Sequence, residues 1–417
     1  MPSTPRIESH SRGGSIVVAV TFANLMLCYG AWYAYSVFLV ALLKEFGWSR
    51  SLVSGAFSAF LAVHGLLAPL VGWLAARFGP RKLILCGAVV MGLGLFLSAE
   101  TTAWWHLYLA FGGVAAVGVT LAAWIPSVVL VRGWFPDRVG TAIGIASGGI
   151  GVGIFAVLPA SQLLIDAFGW RWAFRVLAIA IVAWVFPATL VLIRDPVQPS
   201  GHPFRTGSQV PAAQGSAMAC WTLATACRTW QFWTVASVYF SGNFVTQMLL
   251  IHQVVYLVDH GVSAITAAAL GGLAGLLSIA GKIGWGALSD RTGRPRAYGL
   301  AFAAVAASIG LLVLAGWYPR SYLPHLYAVL IGIGYGAMAP LLPAIASDLF
   351  AGPGFSLIFG SLYTVGCFGL AAGTWSAGWI FDTTGTYAGA LWLGLVMAVV
   401  SPLLMWMVAP HRPTAQI

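Results

Sequence analysis

The stretch LLSIAGKIGWGALSDRTGRPR, Leu276 to Arg296, decides the fold. It begins as apolar sequence of membrane grade and ends in a charged turn, with Lys282 inside the apolar part. A lysine in a helix that spans hydrocarbon costs roughly 2.5–3.5 kcal/mol even on the mildest insertion scale. A chain that keeps such a residue places it against a polar cavity. The surrounding sequence is therefore read as a scaffold that holds a cation in a pathway through a bilayer.

Composition agrees. Of 417 residues, 60% are hydrophobic and 7% charged, against about 25% charged in soluble domains. So few charges cannot coat a soluble surface of this size. The 50 glycines and 19 tryptophans fit close helix packing and membrane interfaces. The net charge of +10 invites a nucleic-acid partner, but the basic residues are scattered singly between apolar runs, so none is expected. Cys28, Cys86, Cys220, Cys227 and Cys367 show no paired metal spacing, and no disulfide framework is expected. Met1 to Gly14 is polar, and no small-residue cleavage site follows the first apolar run, which is a span rather than a signal peptide.

Outward from the opening stretch, twelve apolar segments are long enough to cross a ~30 Å core as helices. They cover approximately 15–43, 52–76, 82–100, 104–131, 139–166, 171–193, 229–258, 264–289, 297–317, 322–347, 355–381 and 386–409, and are helices 1 to 12 below. The expected class is an all-α membrane protein of two pseudo-symmetric six-helix bundles, 15–193 and 229–409. The tails are 1–14 and 410–417. Between the bundles lies a Pro-, Gly- and Ser-rich linker, 194–228, whose end, Met218 to Trp230, reads as a short amphipathic surface helix.

With the N-terminus inside, Arg6, Arg12, Arg77, Arg81, Lys82, Arg132, Arg138, Arg194, Arg205, Arg228, Arg291, Arg294, Arg296 and Arg412 are cytoplasmic. Only Lys44, Arg50, Arg171, Arg175 and Arg320 are external. That bias places both termini in the cytoplasm and the protein in a cytoplasmic (inner) membrane as a multi-pass chain. The halves repeat. Gly72–Lys82 matches Gly286–Arg296, and Leu42–Ser49 matches Tyr256–Ser263, both at an offset of 214. Phe168–Phe174 matches Thr384–Ala390 at 216. Parallel six-helix repeats with a site at the midplane are a transporter architecture.

The run Gly286, Asp290, Arg291, Gly293, Arg294 resembles the loop motif of the major facilitator superfamily between the second and third helices of a half. Its first copy carries Gly72, Arg77, Gly79 and Arg81, but Ala76 stands where the motif has Asp, so a weaker gate contact is expected there. Within the superfamily, Trp134–Gly153 and Ser36–Ser54 resemble the monocarboxylate transporter family and its bacterial relatives, including oxalate/formate antiporters. The resemblance implies a helix 8 cation, here Lys282 where arginine is common. It also implies a helix 1 lysine and a helix 8 acid in some members, where this chain has Val37 and Ser278. Oxalate/formate-type relatives carry a second cation in helix 11, where this chain has Gly366. One cavity cation favours a substrate with one carboxylate.

The acids fall at helix ends or loops, which leaves Lys282, His252 and His64 as the core ionisable groups besides tyrosines and cysteines. At 1.5 Å per residue, Lys282 lies roughly 12 Å from Asp290 along its helix, too deep to snorkel comfortably. His252 is the fallback proton carrier, against a neutral histidine bonded to a carbonyl. His64 is a further proton-coupling candidate, and reads first as packing. Tyr29, Tyr33, Asn243, Tyr335, Tyr363 and Cys367 are candidates to complete a pocket, each also readable as helix–helix packing. A small carboxylate site needs one cation, a hydroxyl or amide donor and an apolar wall.

The expected function is proton-coupled symport of a small, lactate- or pyruvate-like monocarboxylate by alternating access. The expected partners are that substrate, the proton and the lipid bilayer, with no cofactor, metal or obligatory protein partner. An anion exchanger of the oxalate/formate type is the alternative. A transporter-like sensor is a third reading, which expects an additional cytoplasmic module beyond these short tails. No Ser/His/Asp set, metal cluster or phosphate-cradling loop points to an enzyme, and His10, His202 and His411 are isolated.

Overall fold

The computed structural model describes residues 6–135, 139–195, 221–350, 352 and 354–408. Most of the linker, the C-terminal tail and Arg138 therefore lie outside the described residues. Twelve helices are long and apolar enough to cross a membrane: Gly13–Phe46, Arg50–Phe78, Pro80–Ala99, Trp104–Trp134, Gly140–Phe168, Trp170–Leu192, Trp230–Asp259, Ala264–Thr292, Arg294–Trp317, Leu323–Phe350, Phe355–Thr384 and Ala388–Val408. Each overlaps its expected segment. The protein is an all-α, multi-pass membrane protein. Helix 1 extends back to Arg6, so the expected polar tail is partly helical. The described part of the expected surface helix holds only the turn Leu223–Ala226, closed by a Thr222–Thr225 capping box.

Two helices are not continuous. Helix 4 passes from a π segment, Tyr108–Ala115, into Ala116–Ala122, breaks at Ala123 and resumes over Trp124–Trp134. Helix 10 runs over Leu323–Tyr335, breaks, and resumes over Met338–Phe350. The cause is legible in the chain. Pro126 and Pro340 each sit three residues beyond a break, at the 214 offset from one another. A proline has no N–H for the carbonyl four residues earlier, and its ring crowds that carbonyl. Broken backbone at membrane depth persists where protein buries it or where it lines a cavity.

The chain separates into two compact units, Met1–Phe204 with Leu250–Leu276, and Arg205–Leu249 with Leu277–Ile417. In the first unit, a Cβ on Gly149 or Gly153 of helix 5 would overlap the carbonyl oxygens of Phe22 and Met26 in helix 1. Small residues let these backbones touch. Gly271 of helix 8 approaches Leu158 closely too: a Cβ there would stand 3.0 Å from the leucine side chain. Arg50 at the start of helix 2 pairs with Asp259 at the end of helix 7 at 2.7 Å. In the second unit, Gly369 and Gly373 of helix 11 meet the carbonyls of Phe240 and Phe244 in helix 7.

Both copies of the charged turn have the same backbone. Gly79 (φ +87°) and Gly293 (φ +91°) cap the following helices in a conformation that L side chains rarely adopt. Gly72 comes within reach of Ile125, and Gly286 within reach of Pro340, just past the respective breaks.

Candidate functional site

Lys282 lies in the middle third of helix 8, about 15 Å from its last residue, Thr292, at the helical rise. Its side chain is half-buried. Among the described residues it forms no salt bridge; the ion pairs join Arg50, Arg171, Arg175 and Arg294 to acids at helix ends. The described acids Glu8, Glu45, Glu100, Asp166, Asp195, Asp259, Asp290, Asp348 and Asp382 all sit within one turn of a helix end or beyond it. Among the described residues, Lys282 is the one lysine or arginine more than two turns from a helix end.

The helix turn around Lys282 packs on the break in helix 10. A Cβ on Gly336 would lie 2.8 Å from the Ser278 carbonyl oxygen and 2.9 Å from the Lys282 amide nitrogen. A Cβ on Gly281 would run into the Ile333 carbonyl. The Trp285 indole Nε1 donates to that carbonyl at 2.9 Å. Tyr335, the last residue before the break, is buried and reaches toward Ser278. Lys282 and Tyr335 are thus brought onto one seam between helices 8 and 10.

The other candidates in this unit lie between helices 7 and 11. Asn243 donates to the Tyr239 carbonyl at 2.7 Å. A Cβ on Gly366 would stand 2.9 Å from Asn243 Nδ2 and 3.3 Å from the Tyr239 ring. A side chain at Gly366 would have to displace the Asn243 amide and press on the Tyr239 ring. Tyr363 and Cys367 are one turn apart on helix 11, and Cys367 is buried.

The first unit holds Tyr29, Tyr33, His64 and His252. Trp32 ties the first three together, stacking on Tyr29 (centroids 5.3 Å), tilting against Tyr33 (6.3 Å) and meeting the edge of His64 (5.1 Å). His64 is buried and its Nδ1 lies 2.9 Å from Thr120 Oγ1. The Thr120 hydroxyl already donates its one hydrogen to the Ala116 carbonyl at 2.6 Å. It can therefore only accept from His64, which assigns the Nδ1–H form by the network. His252 is buried in helix 7.

The charged turns are differently wired. Arg294 bonds Asp290 at 2.7 Å and Asp348 at 3.3 Å, and its guanidinium also donates to Ser289. Asp290 thus accepts from the Arg294 side chain. In the first copy, where Ala76 replaces the acid, Asp195 from beyond helix 6 takes the helix 3 terminus. It accepts from the Arg81 amide at 3.1 Å, while the Arg81 guanidinium donates to the Leu190 carbonyl at 2.5 Å. Arg77 lies over the Trp73 ring at 5.4 Å, and Arg291 closes the last turn of helix 8. Sequence reasoning alone does not single out Trp285, Trp32, Thr120 or Asp195.

Comparison with known proteins agrees with this architecture. The rat protein named monocarboxylate transporter 12 is 28% identical over 412 residues, covering 94% of this chain and 84% of that one. Human monocarboxylate transporter 2 is 25% identical, covering 93% and 84%. A bacterial homolog of the human lysosomal transporter Spinster, solved inward-facing and unoccupied, superposes with a TM-score of 0.69 at 16% identity, over 98% of this chain and 96% of that one, and speaks to the fold alone. The family model described as Major Facilitator Superfamily matches residues 21–351. A twelve-helix chain of this build, matched by that model over most of its length, is a transporter and belongs to the Major Facilitator Superfamily.

Proposed function

We propose that the protein carries a small monocarboxylate together with a proton across the cytoplasmic membrane, with both termini inside, by alternating access of two six-helix halves. The observation that carries the reading is Lys282, a deep cation with no acidic partner among the described residues. The names of the similar curated proteins support the substrate class. Gly366, at the position where oxalate/formate-type relatives carry a second cation, supports a substrate of single negative charge.

The coupling follows from electrostatics. An ammonium held away from water without a counter-ion is costly. A carboxylate beside it offsets that cost. Proton and anion therefore strengthen each other's binding, and linkage makes the effect reciprocal. The loaded pair is neutral and crosses without moving net charge. Tyr335, buried on the same seam, is a candidate donor in the second unit. Tyr29 and Tyr33, with the Trp32 ring, form a candidate apolar and hydroxyl-bearing wall in the first.

The test is uptake of short monocarboxylates into proteoliposomes under an inward proton gradient. Lys282→Ala abolishes uptake. Lys282→Arg binds substrate but releases the proton poorly, so exchange survives better than net uptake. Uptake falls as external pH rises, because the protonated, substrate-ready form is depleted. Normal transport by Lys282→Ala would refute the reading. A lumen that does not acidify during uptake would favour carboxylate exchange over symport.

A further inference from the structure

The break in helix 10 leaves a particular carbonyl in need of a donor. At the break, the Ala337 amide donates to Gly334 O at 3.2 Å and not to Ile333 O, its partner in a regular helix. An unsatisfied carbonyl at membrane depth is strongly disfavoured. Trp285 of helix 8 satisfies it through its indole N–H, at 2.9 Å. Trp285 stands three residues after Lys282, one turn along the same face. The seam is closed by Gly281 against Ile333 and by Gly336 against the backbone of Ser278 and Lys282.

The other repeat serves as an internal control. At the 214 offset, Ala68 stands for Lys282, Val71 for Trp285, Val119 for Ile333 and Ala123 for Ala337. Helix 4 breaks at Ala123, yet the Ala123 amide still donates to Val119 O at 2.9 Å. There the carbonyl is satisfied within its own helix, the facing residue is valine, and there is no lysine. In helix 10 the carbonyl is orphaned, and tryptophan and lysine appear together one turn apart. A tryptophan serving only to fill space would need neither the orphaned carbonyl nor the lysine beside it.

We propose that Trp285 is a positioning residue for Lys282. Its bond to Ile333 fixes the rotation and height of helix 8 against the helix 10 break, and so fixes where the amine meets an anionic substrate. The functional half of this inference rests on Lys282 as the anion-binding cation; the positional half rests on geometry.

Trp285→Phe keeps the ring and removes the donor. Two measurements decide the matter. The first is thiol labelling of Lys282→Cys, with the native cysteines replaced by serine, in the presence and absence of Trp285→Phe. The second is pH-dependent uptake of a short monocarboxylate by Trp285→Phe in the otherwise native chain. The expected results are a labelling rate changed about threefold or more, and a KM raised about three- to tenfold with the maximal rate within about twofold, the size of one hydrogen bond. The pH at which uptake is half-maximal moves with KM. If labelling, KM and the pH profile all stay put while the melting temperature falls, Trp285 is only structural and the proposal is overturned. If labelling changes but Lys282→Ala still transports, the assignment of Trp285 stands and the reading of Lys282 as the substrate cation fails.

Discussion

Substituting Gly336 by alanine isolates the seam on which Lys282 sits. Gly336 has φ −55° and ψ −25°, a helical conformation open to any residue, so glycine is there for space. The added Cβ would stand 2.8 Å from Ser278 O, 2.9 Å from the Lys282 nitrogen and 3.0 Å from the Gly281 carbonyl carbon. All three are backbone atoms of helix 8, so no side chain can turn away to make room. Restoring ordinary contact requires helices 8 and 10 to part by about 0.5 Å, and the Trp285–Ile333 bond, now 2.9 Å, moves toward the limit of a useful hydrogen bond. Overpacking of this kind costs about 1–3 kcal/mol, and weakening the bond adds part of about 0.5–1.5 kcal/mol. Gly284, on helix 8 itself, is the matched control, because a Cβ added there would meet nothing within 4 Å. Detergent-solubilised Gly336→Ala is expected to unfold at a lower temperature and to bind substrate roughly tenfold more weakly, while Gly284→Ala matches the parent in both. Equal behaviour of the two variants would refute the reasoning.

Three further outcomes are expected. Gly366→Ala strains the contact with Asn243, and adding Asn243→Ala relieves part of the loss; uptake by the two single variants and the double variant should show a coupling of about 0.5–3 kcal/mol. Thr120→Val leaves the His64 Nδ1–H without its acceptor, which costs about 1–3 kcal/mol of stability but leaves the pH profile of uptake in place, since His64 is held in a packing role. Arg294→Ala frees Asp290 and Asp348 together. Because the pairs are partly exposed, the stability loss is about 1 kcal/mol and shrinks as salt is raised, measured by melting in low and high ionic strength.

Much of the fold is legible in the chain because one periodic property, the length of apolar runs, is set by the thickness of a bilayer. That length gives the spans, and the charged turns mark where they reverse. The breaks in helices 4 and 10 are equally present in the chain, as Pro126 and Pro340 at matching positions, but a hydropathy window averages across a proline without registering it. Lys282 is visible because charge at depth is costly. Trp285 is not, because a tryptophan in an apolar helix looks like any other large side chain until the carbonyl it caps is known. The Arg81–Asp195 contact is hidden for a related reason. The acid comes from 114 residues along the chain, and no local pattern links it to the turn it serves.

The two halves agree and disagree in a telling way. They agree where backbone geometry is at stake: Gly72 with Gly286, Gly79 with Gly293, Pro126 with Pro340. Gly79 and Gly293 hold a positive-φ helix cap, and Pro126 and Pro340 stand just past the breaks. They disagree at Ala68 and Lys282, at Val71 and Trp285, and at Ala76 and Asp290. These three positions lie along helix 2 and along helix 8, so the differences run the length of a single helix from its core to its charged end. Helix 8 therefore carries the deep cation, the cap on the broken neighbour and the acid that Arg294 grips. The Arg294 contacts to Asp290 and Asp348 tie its end to the second segment of helix 10, while Trp285 ties its middle to the end of the first. Helix 8 thus bridges both segments across the break, and any bend at Gly336–Ala337 must be felt one turn from Lys282.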